Sequence, residues 1–575
     1  MIISMKKLLV IVRIFFIIPF LNGLTGCKGV EPWMPEGIEK VVTHGFKTWN
    51  FQDGADGFSN SNGETCQTKD GFLLWHQRPE TYLSSPKQLQ IPAGKVHTVE
   101  IRLATTGATL KLFWKQAEGA SMQSVSIPLI ADEQYHDYQI ELGQNPDWSG
   151  SVSQLLFQTE TNGNIAIDFI RLTGLYMVPF PAFSLNFETA KAQLNELKAL
   201  FSEADPSVVI GYSTQTEYLY SDDNDDYIYY HYNNENAEGP VNPHYFLRLA
   251  KATDMPVMIW LRGDPWGYEH KQLYADDQNL MWTADVSARP AYRNSESGYR
   301  YLCLAREELD GTTSFYWRQT EKLLGQCAEV IDKLIKENPD HILGVTTTSE
   351  LKFNTHDLIN IDLDYNPKTI REFSIYCKQK YGTIEKLNNA CETDFVSFEL
   401  KSSDYDPLTV AVEKGFDAPR TRGVPAPFWN EWKYFRALQI QRAVQHQVEC
   451  IAQYIDRKYI YTHQIASEIE QTESPSWCGN VPGANVGIDF FTHEATDAVI
   501  QEIADFVKDD PSRTWGVPEW LVMRDGDPVR TVEAMKQMRR HGIKYLTPFA
   551  WGFGEEFDVK DSPAFDAIRD YLKNN

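Results

Sequence analysis

Several carboxylates stand at or just beyond the ends of apolar, β-type runs: Glu217, Asp264, Glu350, Glu468, Glu494, Glu519 and Glu555. One acid in such a place says little. Two acids from different strands facing one cleft can cleave a glycosidic bond. One must stay protonated to donate to the leaving oxygen, and the other must be ionised to attack or to activate water. The favoured pair is Glu350, which closes ILGVTTTSE (342–350), and Glu519 in GVPEWL. Other residues could serve them. Arg262, in WLRGD, could bind sugar hydroxyls or hold a carboxylate ionised, or simply pair with Asp264 at the rim. Trp266 follows in DPWGYEH as a substrate-binding candidate. His493 could hydrogen-bond the attacking acid or the substrate, or be structural. Trp551, in PFAWGFG, could offer an aromatic face to a sugar ring. Glu468, in HQIASEIE, is the rival for the attacking role.

These residues need a scaffold that brings strand ends together. From Leu175 onward, apolar β-type runs alternate with amphipathic helical stretches, the pattern of a parallel α/β sheet. Eight runs qualify: 176–182, 207–213, 256–263, 342–350, 459–466, 485–492, 514–520 and 544–551. Segments 186–204, 314–337 and 428–456 carry apolar residues at three- and four-residue spacing, as helices do. Eight strands with long excursions predict a (β/α)8 barrel over 175–575, whose active face lies at the strand C-termini. The long aromatic and acidic stretches after the second, third and fourth runs belong on that face. SDDNDDY, after the second, lacks the glycine and terminal glutamate of an EF-hand and reads as a solvated acidic loop. A doubly wound open sheet is the alternative, weakened by the absence of Gly-x-Gly-x-x-Gly after the first run. No cofactor is expected.

Residues 46–174 read differently. Short strands such as FLLWHQ, TVEIRLATT, TLKLFWKQA and IAIDFIRL recur between turns without helical periodicity, which predicts an all-β, jelly-roll-like sandwich. Such a module resembles carbohydrate-binding modules. Trp49, Trp75, Trp114 and Trp148 could stack on sugar, or fill its core. Residues 28–45 read as a tether.

Ahead of it, Lys6-Lys7, an apolar stretch and Leu24-Thr25-Gly26-Cys27 form a secretory signal. The last four residues resemble the bacterial lipobox, which implies cleavage before Cys27 and lipidation of its thiol. The expected location is the cell envelope, lipid-anchored to the outer membrane, on its periplasmic or its outer side. Seven cysteines remain, none in a Cys-x-x-Cys pair, and buried free thiols are the simplest reading. The formal net charge of −25 argues against nucleic acid as a partner. Oligomeric state is not legible.

The stretch after Glu350 carries a resemblance. IREFSIYCKQKYGTIEKLNNACETDFVSF (370–398) and PAPFWNEWKYFRALQIQRAVQ (425–445) resemble glycoside hydrolase family 42, the β-galactosidase type, within the retaining (β/α)8 clan. The resemblance implies that Glu350 is the general acid/base, that Glu519 is the nucleophile, and that Trp551 lies under the sugar. It departs at Ser349, where the family has Asn, and this bears on which sugar is bound. The family's metal-binding cysteine cluster has no counterpart, so no catalytic metal is expected. The expectation is a retaining β-glycosidase acting on oligo- or polysaccharide. β-Mannoside, β-glucoside and endo-acting variants stay open, as does a non-catalytic glycan-binding lipoprotein.

Overall fold

The computed structural model describes residues 45–61, 66–77, 81–116, 122–160, 163–182, 186–217, 242–262, 277–284, 302–347, 351, 353, 364–401, 414–421, 423–465, 475–523, 525–552 and 558–574. The signal and Cys27 lie outside them, as do Trp266, Ser349, Glu350 and Glu468; Arg262 and Glu217 are described in backbone only. Among the described residues no helix is long and apolar enough to cross a membrane.

The N-terminal part is two antiparallel sheets. One runs in the order His136–Glu141, Thr98–Thr105, Gly163–Thr173, Phe72–Gln77, Gln67–Lys69, with Lys47–Trp49 added on Gly163–Thr173. The other runs Ser59–Asn60, Leu83–Ser84, Ser151–Thr159, Thr109–Gln116, Gln123–Pro128, with Ile91–Pro92 on Ser151–Thr159. Inward residues of both sheets share one apolar core, as the two-residue alternation requires. Trp49, Trp75, Trp114 and Trp148 all belong to that core and are at most 6% exposed. Trp114 and Trp148 pack edge to face at 5.5 Å. The four rings are therefore filling, and the sugar-stacking alternative for them is set aside.

The eight predicted runs form a closed parallel barrel. In chain order the strands are Tyr176–Met177; Val209–Ile210 continued by Tyr212–Glu217; Val257–Arg262; Ile342–Thr346; Ile460–Tyr461 continued by Gln464–Ile465; Val486–Phe491; Trp515–Leu521; and Tyr545–Phe549. Each pairs in parallel with the next, and the eighth pairs with the first through Tyr176↔Tyr545 and Met177↔Leu546. The open-sheet alternative is thereby excluded. Alternation sorts the side chains. Met177, Val257, Ile259, Val486, Ile488 and Leu546 face the surrounding helices, while Tyr176, Val178, Met258, Trp260, Tyr461 and Tyr545 fill the interior.

Helices Phe187–Leu200, Pro243–Thr253, Asp497–Asp505, Pro528–Arg540 and Pro563–Asn574 cover the outside. Their starts follow local rules. Asn186 Oδ1 accepts from Thr189 N–H, and Asn242 and Asp527 cap helices that open on proline. The connection after the fourth strand is long. Its helices Pro367–Tyr381, Ile384–Cys391 and Ala426–Ile451 enclose an aromatic core around Phe373, Phe416, Phe428 and Trp432. All seven described cysteines are buried and free, as the simplest reading expects.

The sandwich docks on the N-terminal ends of the barrel strands through buried charge. Arg171 meets Glu100 at 2.7 Å and Asp340, just before the fourth strand, at 3.2 Å. Lys544, just before the eighth, lies 3.0 Å from Glu100, and the Tyr176 hydroxyl donates to the same carboxylate. Burial alone would raise Glu100, but Arg171 and Lys544 together hold its carboxyl well below the usual range. Lys458, before the fifth strand, pairs with Asp137 of the sandwich. Glu141 N–H donates to Pro511 O across the same junction at 3.0 Å. At Gly143 and Gly542 the two backbones nearly touch, since a Cβ on Gly143 would stand 2.8 Å from Gly542 Cα. The opposite, C-terminal ends of the strands are left to the loops.

Candidate active site

Glu519 sits near the end of the seventh strand, WGVPEWL. Strict alternation from Trp515 and Val517, which face the helices, would turn Glu519 the same way. The strand prevents this with an irregularity. Its register slips between Val517 and Trp520 against the eighth strand, and between Gly487 and Phe490 against the sixth. Pro518 has no N–H to offer the ladder, which is the usual setting for such a break. The slip returns Trp520 and Val522 to the helix side and re-aims Glu519, as bulges beside functional sites do.

The freed backbone is caught by a side chain. Glu519 N–H donates to Asp489 Oδ1 at 2.6 Å. Asp489 comes from the sixth strand, where Val486, Ile488 and Phe490 face the helices and the alternate position turns inward. Its other oxygen, Oδ2, makes an ion-pair contact of 2.8 Å with His463 Nε2. His463 lies between the two short segments of the fifth strand. Its Nε2 is 3.9 Å from Glu519 Oε2, and its Nδ1 is 3.4 Å from Thr346 Oγ1 at the end of the fourth strand. Trp260 of the third strand meets the His463 ring edge to face at 5.0 Å. Phe180 stacks on Trp260 at 4.5 Å, and Phe549 lies behind it. His463 and Asp489 are fully sealed, whereas the Glu519 side chain keeps 17% exposure. The cluster is thus a carboxylate pair bridged by an imidazole, with one carboxylate open to the barrel mouth.

Of the expected residues, the structure brings Glu519 to this cluster. His493 is exposed, with its ring against Phe491 at 5.5 Å; the histidine that meets Glu519 is His463. Trp551 is 2% exposed, and Lys560 Nζ lies over its ring at 4.5 Å. Of the remaining strand-end acids, Glu494 accepts from the nearby Phe491 N–H at 3.1 Å. His463 and Asp489 escaped the sequence reading because they lie inside apolar runs, YIYTHQIA and NVGIDFFT. An ionisable residue at the inward alternate of a buried strand was the available signal. The donor atoms of His463, Asp489 and Glu519 lie within 4.8 Å of one another, a spacing that a divalent cation could bridge.

An eight-stranded parallel barrel with a carboxylate cluster at its C-terminal mouth is a scaffold for polar bond cleavage. Residues 295–524 match the family model of glycoside hydrolase family 42, β-galactosidase. The match runs from ahead of the fourth strand to just past the seventh and includes Glu350 and Glu519; on it, the barrel is that of a glycoside hydrolase. No curated protein sequence matches the chain. Among solved structures, the catalytic domain of β-amylase from Paenibacillus polymyxa overlaps at TM-score 0.46 and 11% identity, over 70% of this chain and 98% of that one. The β-galactosidase of Marinomonas ef1 overlaps at 0.44 and 14%, over 70% of this chain and 58% of that one. An exo-β-agarase overlaps at 0.35 and 11%, over 92% and 98%. The chain spans little more than half the length of the Marinomonas enzyme.

Proposed function

We propose that this protein is a retaining β-glycoside hydrolase in which Glu519 is the nucleophile and Glu350 the general acid/base. The observation that carries the reading is Glu519 itself. It is the one partly exposed acid of a sealed cluster, turned to the strand C-termini by a break at Pro518. Glu350 follows the fourth strand, Ile342–Thr346, by four residues in the sequence. In the first step a Glu519 oxygen bonds to the anomeric carbon while the glycosidic oxygen leaves with the electron pair and takes the proton of Glu350. In the second, water bonds to that carbon, Glu350 takes its proton, and the pair returns to Glu519. A β-galactoside is the substrate class of the matched family, and Ser349 is the position at which the sugar specificity of this chain would depart from it. Arg262 and Trp266 are proposed to line the sugar site.

The jelly-roll-like sandwich acts in this reading as a brace under the barrel, since its four best stacking rings are consumed in its core. Cys27 is proposed to carry a lipid that holds the enzyme at the outer membrane. The test is a screen of aryl β-glycosides and polysaccharides with wild type, Glu519→Gln and Glu350→Ala. Glu519→Gln should abolish turnover with the fold intact. Glu350→Ala should keep activity only on substrates with good leaving groups, where acid assistance is not needed. Substantial turnover by Glu519→Gln would sink the assignment.

A further inference from the structure

We propose that the cleft between the sandwich and the N-terminal rim of the barrel binds an acidic saccharide, with Arg457 and Arg513 taking its carboxylate or sulfate. The cleft has a volume of about 330 Å³, at the small end of ligand sites. It lies at the strand ends opposite Glu519. Its barrel side comes from three turns: 456–458 ahead of the fifth strand, 483–485 ahead of the sixth, and 510–513 ahead of the seventh. Its other side is the end of the sandwich strand Gln123–Pro128, with Ile130 beyond it, and Tyr138. Asn485 stitches the three turns together. Its Nδ2 donates to Lys458 O at 2.8 Å, and its Oδ1 accepts from Thr514 N–H at 2.9 Å. Both arginines are thereby carried on one frame.

Neither guanidinium meets a carboxylate. Arg513 donates through Nε to Ala484 O at 2.7 Å, and through Nη2 to Asn480 Oδ1 at 3.0 Å and Val481 O at 3.3 Å. These acceptors are neutral, and Nη1 is left over among the described residues. Burial pulls the Arg513 pKa down, with Asp510 opposing it from a distance. Arg457 makes no hydrogen bond or ion pair among the described residues, yet it does not reach out into water. Its guanidinium lies across Gly483, where a Cβ would overlap Nη1. Gly483 also has a φ of +79°, so the turn takes glycine both for its backbone and for the arginine laid on it. Two planar cations with spare N–H groups on one turn suit an oxyanion.

The rest of the lining narrows the ligand. Ile130, 48% exposed, and Pro128 give an apolar strip. The Tyr138 hydroxyl accepts from Ile130 N–H at 2.9 Å, which leaves its own hydrogen for a ligand oxygen. Asp456 Oδ1 accepts from Lys458 N–H at 3.2 Å, which leaves Oδ2 for a ligand hydroxyl. A bare anion would use neither the apolar strip nor a carboxylate, and a fatty acid would have no hydroxyl for Asp456. A sugar acid engages all of them: its anion the arginines, its hydroxyls Asp456 and Tyr138, its C–H face Ile130.

Affinity electrophoresis of the full chain tests this, in native gels containing polygalacturonate, dextran sulfate or neutral dextran. A net charge of −25 keeps the protein from polyanions in general, so retardation reports a site. Retardation by polygalacturonate or dextran sulfate and none by dextran is expected, and the two polyanions tell carboxylate from sulfate. Arg457→Gln should raise the apparent Kd about tenfold or more. Lys401→Gln, which removes an equal charge at another exposed site, should bind as wild type does. Absence of retardation by both polyanions, equal retardation by dextran, or equal weakening by the two substitutions overturns the proposal. Inorganic sulfate that displaces the polymer as well as D-galacturonate and galactose 6-sulfate do also overturns it, in favour of a simple anion site. The readout involves no hydrolysis, so it stands or falls separately from the role of Glu519.

Discussion

His97 offers the sharpest test of how the sandwich is seated on the barrel. It is 5% exposed, with Nε2 3.2 Å from Gly94 O and its Cβ 3.3 Å from where a Cβ on Gly143 would stand. Burial pushes its pKa down from 6.5 to about 4; the charges of Arg539 and Lys544 push the same way, and the Gly94 carbonyl opposes them. The folded protein thus keeps His97 neutral at a pH where the unfolded chain protonates it. Its contribution to stability is fully present above pH 6.5 and is lost as pH falls from 6.5 toward 4. At about 1.4 kcal/mol per pH unit, the loss between pH 7 and pH 5 comes to about 2 kcal/mol. Asp168 works in the opposite sense, since burial raises its carboxyl to about 6. The whole-protein pH profile therefore mixes the two, and a variant is needed to isolate His97. His97→Gln keeps an N–H for Gly94 O and cannot titrate. Urea midpoints at pH 7 and pH 5, taken on reversible transitions followed by tryptophan fluorescence, should show the wild type losing about 2 kcal/mol more than the variant. Equal losses would refute the reasoning that a neutral, sealed His97 sits under the barrel.

Other outcomes follow from the same geometry. Lys544→Met should destabilise by about 3–5 kcal/mol, measured by chemical denaturation, because Glu100 and Glu141 lose a buried partner while remaining at the junction. Gly487→Ala should cost about 1–3 kcal/mol and lower turnover. Its Cβ would stand 1.9 Å from Thr462 O and 2.8 Å from Pro518 Cγ, forcing apart the strands that carry His463, Asp489 and Glu519. Exhaustive dialysis against EDTA should leave aryl-glycoside hydrolysis unchanged, since the two-carboxylate reaction needs no metal; loss of activity restored by a divalent cation would point instead to a bound ion at the three donors.

Much of this protein is legible in its residues. The eight barrel strands were readable because each is a run of apolar, β-branched or aromatic residues bounded by turn formers, and each is followed by a helical or loop excursion. The sandwich strands were readable as short β-type runs set between turns, with no helical periodicity. That Glu519 ends a seventh strand is a matter of counting. What it faces is not. Alternation along WGVPEWL puts Glu519 on the helix side with Trp515 and Val517, and only the slipped register at Pro518 turns it to the mouth. His463 and Asp489 lie 26 residues apart in sequence and meet only because the fifth and sixth strands pair in one register. The same holds for the tryptophans of the sandwich and for Glu100, Arg171 and Lys544 at the junction. Composition marks a side chain as able to stack, pair or react. Which of these it does depends on the surface that closes over it, and that surface comes from strands distant in the chain.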